Sequence, residues 1–161
     1  MDGIAMDVAA LHAFLDTNFL QVKGEFTVDA VTPDGVDVRL NVAERHLRPG
    51  GTVSGPSMFG LADVGAYLAI LSRIGPVALA VTTSCAIDFM RKPAADADLI
   101  CHARLLKLGR VLAVTDCMIF SAGAAGPIGG PVARASLTYS IPPRSDPPRS
   151  VPPSSVPPGA A

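Results

Sequence analysis

Residues 54–73 read SGPSMFGLADVGAYLAILSR, and the composition of this segment decides the fold. It opens with Ser54-Gly55-Pro56, which favours a helix start because serine caps helices and proline is tolerated in the first turn. The residues that follow are apolar on nearly every face of a helix, and such a helix is usually buried. Gly75-Pro76 ends the pattern. The sequence therefore predicts a long core helix that other elements must cover.

The patterns on either side of this helix predict mainly strands. Upstream, an apolar helical stripe precedes two strand-like runs joined by a Thr-Pro-Asp-Gly turn signal. Downstream lie four strand-like runs, with a loose loop before the last. The predicted elements are a helix at 8–20, strands at 24–31 and 35–42, the core helix, strands at 77–90, 99–108 and 111–120, a loop at 123–130 and a strand at 132–141. An antiparallel sheet of about six strands around a central helix is an α+β architecture, and it matches the hotdog fold.

Length and composition indicate one domain followed by a low-complexity tail. Hydrophobic residues make up 49% of the 161 residues and charged residues 17%, which excludes wholesale disorder. Eight of the fifteen prolines fall in residues 142–161, which read PPRSD, PPRSV, PPSSV and PPGAA. Tandem prolines favour an extended, solvated backbone. We predict a domain over residues 1–141 and a disordered Pro/Ser-rich tail over 142–161, which either has no dedicated role or docks on an SH3-like partner.

Charge and patterning argue against several classes of protein. The net charge of −1 lacks the basic excess that nucleic-acid binding needs. No stretch of 18 residues is free of charge, so no membrane-spanning helix is predicted, and the acidic N-terminus has no signal-peptide pattern. The chain has three cysteines, Cys85, Cys101 and Cys117, and none of them forms a C-x-x-C pair. An odd number of unpaired cysteines favours free thiols in a cytoplasmic protein. No metal-ligand cluster or glycine-rich phosphate loop occurs, so neither a metal nor a cofactor is predicted.

Asp63 is an acid inside the most apolar segment of the chain. Burying an ionised carboxylate without partners costs several kcal/mol, so such a group is usually paired or changes its protonation state. One interpretation is a structural acid that hydrogen-bonds a hydroxyl, for instance that of Tyr67 one turn on. The other is a nucleophile or general base.

Gly55 adds a second candidate element, because free N–H groups at a helix N-terminus favour an anion. A carboxylate and an anion-stabilising N–H are what acyl transfer requires. Eight residues separate Gly55 from Asp63, or roughly 12 Å along a helix. One reacting carbonyl must lie about 3 Å from both, so a single helix cannot supply them. If the site is catalytic, a homodimer with shared sites follows.

The segment RHLRPGGTVSGP at residues 45–56, followed by Leu61-Ala62-Asp63, resembles the PaaI-like branch of the hotdog acyl-CoA thioesterases. That family's loop has the pattern H-x-N-x-x-G-x-x-H-G-G, with an acid eight residues after the first glycine of the final pair. Gly55 and Asp63 keep this spacing. The segments DFMRKP at 88–93 and LGR at 108–110 resemble later motifs of the family, and the similarity covers roughly residues 8–141.

The resemblance implies an enzyme that hydrolyses an acyl-CoA thioester to the free acid and CoA, with CoA as part of the substrate rather than a cofactor. Asp63 is then the nucleophile or general base and the Gly55 N–H the oxyanion donor. The family also implies a homo-oligomer, either a dimer or a dimer of dimers, with no nucleic-acid or membrane partner.

Thr82 matches a hydroxyl residue that helps to place water in some members of this family. We expect it to alternate with Ser84, Ala86 and Asp88 on one strand face. The alternative is an ordinary β-branched strand residue.

The loop departs from the family pattern at three positions. Arg48 stands in place of the asparagine, Ser54 in place of the histidine and Pro56 in place of the second glycine. His46 keeps the position of the loop histidine, where we expect a solvated side chain. Arg48, Ser54 and His46 are the candidate substrate-binding residues of the loop.

Coenzyme A carries phosphates, so the resemblance also implies a cationic rim. Arg91, Lys92 and Arg110 lie at predicted strand ends and are candidates for it, the alternative being ordinary surface charge.

Two other functions stay open. The departures at Arg48, Ser54 and Pro56 favour a non-catalytic hotdog module that binds an acyl thioester or a partner. A hotdog dehydratase needs a histidine and a carboxylate at the helix start, where this sequence has no histidine, so it ranks last.

Overall fold

Six antiparallel strands and two α-helices make up the computed structural model, which describes residues 3–143. The α-helices and strands in chain order are α1 (Val8–Asn18), β1 (Phe26–Thr32), β2 (Gly35–Leu40), α2 (Gly55–Ile74), β3 (Val81–Phe89), β4 (Asp98–Leu108), β5 (Leu112–Gly123) and β6 (Gly126–Ser140), with short 3-10 helices at Leu20–Val22 and Glu44–His46. This confirms the predicted α+β hotdog architecture. The predicted tail lies outside the described residues except for Pro142 and Pro143, so its disorder stays a prediction.

The sheet wraps α2 in the order β1-β2-β4-β5-β6-β3. All the pairings are antiparallel, and β1 and β3 form the two edges. α2 packs closely on β4 at Gly65, where an added Cβ would lie 3.1 Å from the Cys101 sulfur. The apolar residues of α2 therefore form the centre of the core, as their all-round pattern predicts.

α2 also has the length and apolar composition of a membrane-spanning helix. Its most apolar 18-residue window has a mean hydropathy of 1.3 and is 72% buried inside the protein. A helix that serves as the core of a domain has the same composition, and this one is covered by the sheet.

The structure differs most from the sequence prediction at the start of β3 and at the turn between β5 and β6. β3 begins at Val81 rather than at residue 77. The predicted loop at 123–130 is wrong, because β5 and β6 pair across it, with Gly123 opposite Gly126. Gly126 and Gly129 have φ angles of 121° and 68°, a region that favours glycine. These glycines shape a tight hairpin rather than a loose loop.

Candidate functional site

Asp63 lies on the face of α2 that meets β6 and β3. The Tyr139 hydroxyl lies 2.8 Å from Asp63 Oδ1, and the Thr82 hydroxyl also donates to that oxygen. The carboxylate, which is half-buried on an otherwise apolar helix, is thus partnered by two hydroxyls. The suggested partner, Tyr67, is wrong, because its hydroxyl donates to the carbonyl of Ala78 at 2.9 Å. We call Asp63, Thr82 and Tyr139 the Asp63 cluster.

A β-bulge places Thr82 in this cluster. The β3–β6 register shifts between Thr82 and Ser84, so that Thr82 is opposite Tyr139 while Ser84 is opposite Thr138. The bulge turns Thr82 toward the core side of β3 and leaves Ser84 exposed. The expectation that Thr82 shares a face with Ser84, Ala86 and Asp88 is therefore wrong, since regular alternation fails at Thr83.

The groups around Asp63 are neutral hydroxyls and thiols. Burial, and secondarily the negative charge of Asp63, raises the pKa of Tyr139 far above its usual value. Burial also raises the pKa of Tyr67 and that of Cys85, the latter helped by Asp63. Tyr139 therefore keeps its proton and acts as a donor to the carboxylate at all ordinary pH values.

The Asp63 cluster lines a cavity of about 200 Å³, together with Tyr67 and Phe19. Asp63 Oδ1 accepts both hydroxyl bonds, whereas Oδ2 has no hydrogen-bond partner among residues 3–143. One carboxylate oxygen is thus held and the other is left for a molecule in the cavity.

The first turn of α2 leaves one backbone donor unused. Ser54 caps the helix: its hydroxyl accepts from the Ser57 N–H and its carbonyl from the Met58 N–H. Pro56 has no N–H to donate. The Gly55 N–H is left with no acceptor in the described part of the chain, so it is free to bind an anion.

His46 is buried rather than solvated, which corrects the expectation for this loop residue. Only 6% of it is exposed, and its Nδ1 accepts from the Ala43 N–H at 2.9 Å. Its carbonyl accepts from the Ser54 N–H and the Ser57 hydroxyl. The structure thus places His46 behind the first turn of α2, where it supports Ser54 instead of facing solvent.

Three of the candidate cations meet beside Gly55. Arg48, Arg91 and Lys92 line a second cavity of about 490 Å³, whose wall includes Gly55 and Phe89. Within residues 3–143 none of the three has an ion pair or a side-chain hydrogen bond. Other arginines are neutralised by carboxylates, namely Arg39, Arg45, Arg104 and Arg134. The unpaired charges give this cavity an affinity for anions.

Arg110 lies elsewhere in the chain. It lines an apolar cavity of about 440 Å³ beside Val111 and Ile141, at the tip of the β4–β5 hairpin. The structure therefore does not group Arg110 with the other candidate cations in a single chain.

We call the start of α2, residues 54–58 with the free N–H of Gly55, the Gly55 turn. The Gly55 turn and the Asp63 cluster line different cavities. β3 runs between the two cavities: Thr82 near its start lines the first and Phe89 at its end lines the second. The Phe89 ring covers the helix start closely, since an added Cβ on Gly55 would lie 3.3 Å from it. A single chain therefore presents the two halves of the candidate site separately.

Sequence reasoning missed Tyr139 and Phe89. Tyr139 is one of only two tyrosines in the chain and is 2% exposed, yet nothing in its local pattern links it to a residue 76 positions earlier. Phe89 lies in the segment DFMRKP at residues 88–93, in which only the basic residues Arg91 and Lys92 indicated a ligand. Among residues 3–143, no group of three or more His, Cys, Asp or Glu side chains is placed to hold a metal ion.

Comparison with known proteins decides the family. A family model described as the thioesterase superfamily matches residues 50–128, which include Gly55, Asp63 and Thr82. The structure of a candidate thioesterase from a Silicibacter species is 55% identical, with a TM-score of 0.79 over 87% of this chain and 94% of that one. The chain belongs to the thioesterase superfamily. No match was found among curated proteins.

Two other solved structures extend the comparison. A mutant of the phenylacetic acid degradation protein PaaI from Thermus thermophilus is 29% identical, with a TM-score of 0.61 over 76% of this chain and 96% of that one. This confirms the resemblance to PaaI-like proteins. A protein from Streptococcus pneumoniae described as a hypothetical thioesterase, solved with coenzyme A, is 20% identical with a TM-score of 0.66 over 83% of this chain and 98% of that one, and it supports the fold alone. The family supports thioester hydrolysis as the class of reaction.

Proposed function

We propose that the chain hydrolyses an acyl-CoA thioester to the free acid and CoA. The observation that carries the proposal is Asp63, which lines a cavity and whose Oδ1 is held by two hydroxyls, while Oδ2 has no hydrogen-bond partner in the described part of the chain. The reaction adds water across the C–S bond: the acyl carbon gains the oxygen and the sulfur gains a proton. No group beyond the CoA of the substrate is needed.

Asp63 serves this reaction in one of two ways. As a general base it takes a proton from water, which attacks the thioester carbonyl, and returns that proton to the departing sulfur. As a nucleophile it forms an acyl-carboxylate anhydride and releases the thiolate, and water then opens the anhydride. In both, the carbonyl oxygen gains negative charge, and the free Gly55 N–H at the start of α2 is suited to stabilise it.

The unpaired cations support CoA as the leaving group. Arg48, Arg91 and Lys92 surround the cavity that contains Gly55, and phosphates are the anions that a CoA ester would bring there. The structure from Streptococcus pneumoniae contains coenzyme A, which is in keeping with such a ligand. We therefore propose that CoA lies over this cavity while the thioester carbonyl reaches Gly55.

We also propose that two copies of the chain share each site. β3 is an edge strand with apolar side chains exposed at both ends, 58% at Val81 and 53% at Phe89. Antiparallel pairing of two copies of β3 would cover the β3 edge of each copy. It would also bring the Phe89 end of β3 in one copy to the Val81 end of β3 in the other. The Gly55 cavity of one copy would then meet the Asp63 cavity of the other. A dimer, or a dimer of such dimers, would complete the site.

The three cysteines support a reducing compartment such as the cytoplasm as the place of action. All three are free, and two are buried.

A thiol-release assay over a panel of acyl-CoA esters tests the proposed reaction. We expect turnover of at least one ester, with release of one thiol per acid formed. Tight binding of one ester without turnover would instead favour a non-catalytic binding module, the alternative that the departures at Arg48, Ser54 and Pro56 suggest.

Mixing two inactive variants tests the shared site. Asp63→Asn damages one half and Gly55→Pro removes the N–H of the other. If sites are shared, random pairing of the two chains restores one intact site in each mixed dimer, or about a quarter of wild-type turnover. The two variants are mixed, unfolded and refolded together so that their chains exchange. Each variant taken alone through the same procedure is the control. Lack of any recovery, or a stable monomer of 16.5 kDa in light scattering, would contradict sharing.

A further inference from the structure

We infer that Tyr139 is a positioning residue that fixes which oxygen of Asp63 reacts. With Thr82 it holds Oδ1, so that Oδ2 meets the water or the acyl carbon. This inference rests on the proposed thioester hydrolysis and assigns a role to a residue that the sequence motifs do not include.

The sheet register makes the two donors converge. Thr82 and Tyr139 are direct partners across β3 and β6, and the bulge at Thr83 brings both side chains to the face that packs on α2. Cross-strand neighbours on one face lie about 5 Å apart, which lets two hydroxyls reach one oxygen. The arrangement therefore depends on the pairing of β3 with β6 and not on α2 alone.

Tyr139 itself is held rigidly. It is 2% exposed, and its ring stacks on that of Tyr67 with centroids 6.2 Å apart and planes inclined by 23°. A buried, stacked ring has little rotamer freedom, so its hydroxyl stays at one point relative to α2. Such a donor fixes the carboxylate that it contacts.

The Tyr139 hydroxyl has one proton and two acceptors. It lies 2.8 Å from both Oδ1 and the backbone carbonyl of Asp63. The ionised carboxylate is the stronger acceptor, so the proton is donated to Oδ1. Oδ1 then accepts two bonds and Oδ2 none within residues 3–143, which leaves Oδ2 as the more basic oxygen.

The other titratable groups near Asp63 do not obscure a pH experiment. Burial raises the pKa of the Tyr67 phenol on α2 and that of the Cys85 thiol on β3, so both stay protonated near neutral pH. The thiol of Cys117 on β5 donates to the Ala62 carbonyl at 3.6 Å. Tyr67 and Cys85 therefore add no charge beside Asp63 near neutral pH.

The test is the pH–rate profile of Tyr139→Phe beside that of Tyr67→Phe. Tyr139→Phe keeps the stacked ring and removes a donor to the charged carboxylate. We expect kcat to fall about ten- to a hundredfold and the acidic limb to move to higher pH, because the ionised form loses support. Tyr67→Phe removes a hydroxyl that lines the same cavity but donates to the Ala78 carbonyl and not to Asp63. The acidic limb of the pH–rate profile of this variant should therefore stay in place.

A second pair of variants keeps the inference testable if Tyr139→Phe does not fold. Thr82→Val removes the other donor to Oδ1, whereas Thr82→Ser retains it. We expect the acidic limb to move in the valine variant and to return in the serine variant. If the acidic limb of the pH–rate profile stays in place in both Tyr139→Phe and Thr82→Val, the positioning role is wrong.

Asp63→Asn separates this inference from the reaction itself. If Asp63→Asn is inactive while Tyr139→Phe matches the wild type in kcat and pH profile, only the role of Tyr139 is wrong. If Asp63→Asn retains wild-type turnover, the proposed mechanism is wrong and the positioning role falls with it.

Discussion

The two halves of the candidate site lie on one helix and are built in opposite ways. The Asp63 cluster is an anion held by neutral hydroxyls from distant strands, with one tyrosine 76 residues away. The Gly55 turn is a neutral backbone donor held by bonds within residues 46–58 and bordered by exposed cations. The first half suits a group that must stay fixed and ionised. The second suits a group that admits a charged ligand from solvent.

The largest expected effect follows from removing the charge of the Asp63 cluster. Asp63→Asn keeps the shape and leaves an amide oxygen to accept from Thr82 and Tyr139, but it abolishes the basic oxygen. We expect kcat to fall at least about a hundredfold, or roughly 2.7 kcal/mol of transition-state stabilisation, with thermal stability retained.

Turnover and thermal unfolding measured on one preparation decide the outcome. Lower stability with persistent activity per folded molecule would make Asp63 a structural acid. Near-wild-type turnover of the best acyl-CoA ester by Asp63→Asn would contradict the proposed mechanism.

The next effect concerns the Gly55 turn. Gly55→Pro removes the free N–H at a helix position that accepts proline, and the extended Ser54 backbone before it is compatible. We expect a fall of about a hundredfold in kcat, as for the loss of one oxyanion donor.

Gly55→Ala is the matched control for this change. It keeps the N–H and adds the Cβ that would contact Phe89 at 3.3 Å. The contact is with the tip of a half-exposed ring, which needs to shift by only a few tenths of an ångström, so we expect only a small loss of turnover. Equal losses in the alanine and proline variants would mean that contact with Phe89, and not the N–H, controls activity.

The sequence predicted much more of the Gly55 turn than of the Asp63 cluster. The turn is local: the Ser54 cap, Pro56 and the free donor at Gly55 follow from neighbours in the chain. The all-round apolar pattern of α2 likewise predicted the core helix and, with the strand count, the hotdog fold. Asp63 was singled out because an acid in that pattern demands a partner.

The partner itself was beyond the sequence. Tyr139 reaches Asp63 only because β6 lies between β5 and β3, and strand order is a long-range property that local patterns do not contain. The bulge at Thr83 then reversed the predicted facing of the residues after Thr82, because one extra residue shifts every later side chain to the other face. The burial of His46 was missed for a different reason: its bonds to residues 43 and 54 are local, but this segment has no periodic pattern from which burial can be predicted.

A smaller effect tests the cations beside Gly55. The double substitution Arg91→Gln and Lys92→Gln removes two unpaired charges from that cavity without touching the Asp63 cluster. We expect KM for the acyl-CoA to rise several-fold, with kcat little changed and a weaker dependence of KM on salt. Lys107→Gln, an exposed lysine that does not line this cavity, is the control for charge. A rise in KM for the control alone would place the CoA phosphates near Lys107 and not in this cavity.

The smallest effect separates a cap from a ligand at Ser54. Ser54 bonds the Ser57 N–H, so Ser54→Ala should lower the free energy of unfolding by about 1 kcal/mol and Tm by about 2–4 °C. Ser54→Thr keeps the hydroxyl cap and should restore most of this stability. A raised KM in the alanine variant without a change in Tm would instead mean that the hydroxyl contacts substrate. Because this cap is local, the pH profile set by the Asp63 cluster should not move, and a shift would show that the two halves of the site are coupled through α2.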